Sequence, residues 1–157
     1  MGDATIVAVA KAVETYVSAD ARAYGTTASY TRTWRPLKKI PSLVAQPHVF
    51  IYPAPEHTIG LLNRHSSDEK YRIDVTVQKK VASFANSTID ALALFFERIY
   101  VSLFNHDFSI DCDDEDFVSA HWVKQEHVPF NQERLHDDQV FEATARITYE
   151  PSGETVS

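Results

Sequence analysis

A single cysteine, Cys112, leaves the chain unable to close an intrachain disulfide, and it excludes a redox pair or a cysteine-ligated metal centre. Glycine is almost as scarce. Gly2, Gly25, Gly60 and Gly153 are too scattered to build a phosphate-cradling loop or a Gly-x-Ser-x-Gly elbow. No apolar run approaches the roughly 18 residues of a membrane helix. Asp3, Lys11 and Glu14 interrupt the N-terminal apolar positions, so neither a signal peptide nor a membrane span is expected. Positive charge is short too: the net charge of −7 and pI near 5.4 have the wrong sign for gripping nucleic acid through its phosphates. These absences describe a protein made in a reducing cytoplasm and kept soluble.

What remains is an ordinary globular composition, 44% hydrophobic and 24% charged over 157 residues, which suits one domain with a sizeable core. Asp3 reads as an N-cap for a helix carrying Ile6, Val9, Ala10, Val13 and Val17 on one face. Three strands follow: Thr26 to Trp34, with Tyr30 and Trp34 on one face; His48 to Tyr52, apolar on both faces; and Tyr71 to Val81, in strict alternation. Ser87 and Asp90 form a capping-box-like start to a second helix with the seam Ile89, Leu92, Phe96, Ile99 and Leu103. Val118, Ala120 and Trp122 alternate as a strand, Asn131 to Leu135 reads as a short turn or helical piece, and Phe141 to Tyr149 is the last strand. The reading is therefore an α/β (α+β) domain over residues 1–150 in the order α-β-β-β-α-β-β. It has a mainly antiparallel five-stranded sheet and two packing helices, with residues 151–157 as a flexible tail.

Few constellations suggest chemistry. Asp111, Asp113 and Glu115 match the opening of a calcium loop, but Asp116 stands where the turn glycine belongs and Trp122 where the closing bidentate acid belongs. The seven histidines show no zinc spacing. Asp74, Gln78 and Lys80 share one face of the third strand, an arrangement that some magnesium nucleases use, yet strict alternation places them so on any solvated or partner-facing strand. No catalytic residue, cofactor site or metal site is predicted.

Three stretches in order carry a family resemblance: Tyr71-Arg72-Ile73-Asp74-Val75-Thr76-Val77-Gln78-Lys79-Lys80, the helix Ile89-Asp90-Ala91-Leu92 through Glu97-Arg98-Ile99, and Phe141-Glu142-Ala143-Thr144-Ala145-Arg146-Ile147-Thr148-Tyr149. With Ala120-His121-Trp122-Val123, Pro129 and the Asn131 to Leu135 turn between them, the chain resembles the tail-terminator or tail-completion (neck) proteins of long-tailed bacteriophages. The acidic run Asp111 to Asp116 departs from the shorter, less charged link of that family.

The resemblance implies a non-enzymatic virion protein that forms a homo-oligomeric ring, commonly a hexamer. Such a ring ends the tail tube and docks it to the head-side connector, with the major tail tube protein and the neck protein as partners. DNA would pass through the lumen without specific binding, and six copies at −7 each carry −42 formal charges that repel its phosphates. Expected interface residues lie in the irregular segments: Arg35, Lys38 and Lys39; Leu61, Leu62 and Arg64; and Asp111, Asp113 and Asp114. Competing readings are a head-completion protein of the neck, a metal-dependent nuclease built on Asp74, Lys80 and the acidic segment, and a monomeric adaptor.

Overall fold

A computed structural model describes residues 2–19, 27–34, 46–53, 70–82, 85–128 and 130–156. Among these the chain forms helix α1 (Thr5–Ser18), strands β1 (Ser29–Arg32), β2 (His48–Pro53) and β3 (Tyr71–Lys80), helix α2 (Asn86–Leu103), strands β4 (Phe108–Ser109) and β5 (Ser119–Val128), helix α3 (Gln132–Asp138) and strand β6 (Val140–Ser152). It is a mixed α+β domain, as expected, but with six strands and three helices rather than five and two. The additions are local. β4 is only two residues long, too short for any periodicity to betray, and α3 extends the expected helical piece to Asp138. β6 continues through Pro151 and Ser152, past the strand end expected at Tyr149.

The strands lie in the order β1-β2-β3-β6-β5-β4. Every neighbouring pair is antiparallel except β1 and β2, which run parallel at one edge. β3 and β6 occupy the centre in a register running from Tyr71 opposite Tyr149 to Lys80 opposite Val140. Alternation sends Ile73, Val75 and Val77 of β3 and Ala143, Ala145 and Ile147 of β6 to one face. There they meet Val9, Val13 and Val17 of α1 and Leu92, Phe96, Ile99 and Leu103 of α2, so the helical seams read from sequence bury as expected.

Neither helix start follows its predicted cap. α1 is capped by Ala4 and α2 by Ala85, neither of which supplies a side-chain cap bond. Asp3 is instead drawn into a parallel bridge with Cys112 and an ion pair with Lys11 at 2.8 Å. Burial of the apolar stripes holds these helices, with propensity and capping in a minor role.

Candidate functional site

Six of the expected interface residues, Arg35, Lys38, Lys39, Leu61, Leu62 and Arg64, fall outside the described residues. The other three, Asp111, Asp113 and Asp114, are exposed. Their segment is nonetheless clamped at both ends. The Asp113 amide donates to the Asp3 carbonyl at 2.8 Å, and the Gly2 amide donates to Asp113 Oδ1 at 3.3 Å. A Cβ on Gly2 would sit 2.7 Å from the Asp113 nitrogen, and one on Gly153 would sit 2.9 Å from the Asp116 carbonyl, so glycine lets the backbones approach this closely on both sides. Asp114 Oδ1 accepts from the Asp116 amide at 3.0 Å, and the buried Cys112 thiol donates to the Asp114 carbonyl at 3.3 Å. The acidic run is thus a fixed surface whose carboxylates point outward. Among the described residues no three His, Cys, Asp or Glu side chains converge to hold a metal ion.

Asp74, Gln78 and Lys80 do share the face of β3 turned from the helices, but that face is not solvated: Asp74 is 2% exposed and Gln78 wholly buried, while Lys80 is exposed at the strand end. Six residues of strand separate Asp74 from Lys80 by roughly 20 Å, too far to serve one metal ion. The face carries a polar ladder instead. Tyr52 Oη bonds Thr76 Oγ1 at 2.9 Å, Thr76 bonds Thr144 Oγ1 at 2.8 Å, and Gln78 Nε2 donates to Glu142 Oε2, linking β2, β3 and β6. Arg146 Nε reaches Asp74 Oδ2 at 3.4 Å. Burial raises the Asp74 pKa above its ordinary value, and the Arg146 and Arg72 guanidiniums pull it back in part.

Two further arrangements had no sequence motif to announce them. Asp107 Oδ2 lies 3.3 Å from His121 Nδ1, and His121 Nε2 lies 3.1 Å from Ser119 Oγ, the linear order of a nucleophile relay. Ser119, however, is fully buried, and its hydroxyl donates to the Glu154 carbonyl, away from the imidazole. Burial keeps that hydroxyl away from any substrate, and the chain of bonds ties β5 to the segment beyond β6. Next, Phe96 and Tyr100 of α2, His127 of β5 and Phe130 line an aromatic hollow with Ala93 and Glu97 at its rim. Its rings lie close: Phe96 to His127 at 4.9 Å and His127 to Phe130 at 5.0 Å. Leu94, Val101 and Phe104 stay exposed along α2, and Trp34 stands 61% exposed just past β1 at the opposite edge of the sheet. No helix among the described residues is long and apolar enough to cross a membrane.

No family model matches the chain, and no curated protein matches it in sequence. The overlay with solved structures is the informative comparison. A chain from the virion of a native gene transfer agent particle superposes with a TM-score of 0.55 at 11% identity, over 94% of this chain and 97% of that one. The two share a fold. At this identity the likeness speaks for architecture alone, but it spans both chains nearly end to end. A second solved chain overlays more loosely, at TM-score 0.48 and 10% identity over 96% of this chain and 94% of that one, too loosely to argue from.

The hollow went unread because its parts come from α2, β5 and the residues after β5, and each aromatic alone scans as core. The exposure of Trp34 was equally hidden: the expected strand ran through Trp34 on the Tyr30 face, whereas β1 stops at Arg32.

Proposed function

We propose that this protein is a structural component of a phage-like virion, a ring of identical subunits, six in number, that terminates the tail tube and docks it to the head-side connector. The observation that carries the reading is the overlay on a chain from a gene transfer agent virion, which spans 94% of this chain and 97% of that one. The resemblance of the β3, α2 and β6 sequences to tail-terminator proteins supplies the place in the tail.

The surfaces of the domain suit that role. Among the described residues β1 and β4 form the two different edges of the sheet, which is what a head-to-tail contact needs if a rotation is to close it. The clamped acidic segment offers a fixed negative surface, and turned toward a lumen it would keep passing DNA from adhering. The subunit then has three sets of partners: copies of itself, the major tail tube protein, and the connector.

The test is the assembled particle. Reconstruction of virions containing this chain is expected to show its density as a ring where the tail meets the neck. Density at any other position ends the tail-terminator reading, and absence from the particle ends the structural one.

A further inference from the structure

Trp34 is the largest exposed apolar side chain among the described residues, and the aromatic hollow of Phe96, Tyr100, His127 and Phe130 is a concave apolar surface that an indole suits. The sheet order sets them apart, with the β1 edge four strand spacings from β5, about 19 Å, so one subunit cannot bring its own Trp34 to its own hollow. They are also near one level of the sheet. Arg32 lies opposite Ile51, Ile51 opposite Val75, Val75 opposite Ala145, and Ala145 opposite His127. Trp34 follows Arg32 by two residues, and His127 is part of the hollow.

Charge completes the match. Arg32 uses its backbone amide to bond Glu14 at 2.7 Å, while its guanidinium has no partner among the described residues. Glu97, exposed at the rim of the hollow, likewise has none. A knob with a cation beside it at one edge and a hollow with an anion at its rim at the other are the two halves of a heterologous contact.

We propose that Trp34 of one copy seats in the Phe96–Tyr100–His127–Phe130 hollow of the next copy, with Arg32 against Glu97. This rests on the ring reading above and names the contact that closes it. Aromatic anchors in desolvated pockets carry most of the energy of such interfaces, and the charge pair at the rim supplies direction.

The experiment uses the full chain, from micromolar to millimolar concentration, by sedimentation velocity and native mass spectrometry. Self-association is expected to weaken at least about thirtyfold in Trp34→Ala, the loss typical of an aromatic hot spot. Its melting curve should be unchanged, because the side chain stands in solvent within the subunit. Arg32→Glu alone and Glu97→Arg alone should each associate poorly. An equimolar mixture of the two should recover, since every contact between unlike copies then joins opposite charges.

Wild-type oligomers that ignore Trp34→Ala overturn the contact and leave the ring reading standing. Wild type that stays monomeric to millimolar concentration overturns the contact as well, and the ring is then judged on the particle alone. A fresh association in either single-charge variant points to a symmetric contact and also rejects the head-to-tail one.

Discussion

Arg146 Nε stands 3.4 Å from Asp74 Oδ2 across the central pair of strands, in direct register, with the carboxylate buried and the guanidinium 36% exposed. Removing the cation leaves the carboxylate without the stronger of its two guanidinium neighbours, Arg72 being the other. Breaking a fully buried pair costs roughly 3–5 kcal/mol, and solvent at Arg146 lowers the expectation for Arg146→Met to about 1–3 kcal/mol, read from urea unfolding at neutral pH.

The same pair carries a pH signature. Burial raises the Asp74 pKa in the fold, so the native state holds the proton more tightly than the unfolded chain, and this group's contribution to stability falls as pH rises from the ordinary carboxylate range through the raised value. Arg146 opposes that fall. The gap between wild type and Arg146→Met should therefore be widest at neutral pH and narrow toward about pH 4. A gap that widens on acidification would contradict the assignment.

Tyr149 offers a stabilising substitution. Its hydroxyl is buried without a hydrogen-bond partner among the described residues, and burial drives its pKa upward. Tyr149→Phe removes an unsatisfied polar atom and little else, so the denaturation midpoint should stay level or rise, by up to about 1 kcal/mol in stability.

Two leucines on α2 separate core from surface. Leu92→Ala is expected to cost about 2–5 kcal/mol, because Leu92 packs in the core cluster. Leu94→Ala should stay within about 0.5 kcal/mol, because Leu94 is exposed. Equal losses by chemical denaturation would mean that the helix is rotated from the orientation described.

At the acidic segment, Gly2→Val brings a side chain into the Asp113 backbone. The Asp113 amide should lose its bond to the Asp3 carbonyl and exchange with solvent faster, at a stability cost of about 0.5–1.5 kcal/mol. Unchanged protection of that amide would show that the contact is not maintained in solution.

The strands and seams were legible because their signal is local. Ile73, Val75 and Val77 alternate within one strand, and Leu92, Phe96, Ile99 and Leu103 recur within one helix. The polar face of β3 was misread for the complementary reason. Asp74, Thr76 and Gln78 have the period of a solvated face, and what permits their burial comes from Tyr52, Glu142, Thr144 and Arg146, on strands that no local pattern links to β3. The predicted Asp3 cap failed in the same way: Asp3 had a distant partner in Cys112, and the bridge between them prevailed over the local cap. Of the candidate surfaces, the acidic run was visible as composition, while its clamping by Gly2 and Gly153 and the aromatic hollow exist only in three dimensions.

The position of β6 between β3 and β5 governs when the subunit can form at all. Strand β3 meets its β6 partners some 60 to 80 residues downstream, as Lys80 meets Val140 and Tyr71 meets Tyr149, so the centre of the sheet closes only once β6 has been made. A chain without β6 holds β1, β2 and β3 on one side and β4 and β5 on the other, with no strand to join them. Removal of β6 therefore takes out the middle of the sheet while β1 and β4 remain at its edges.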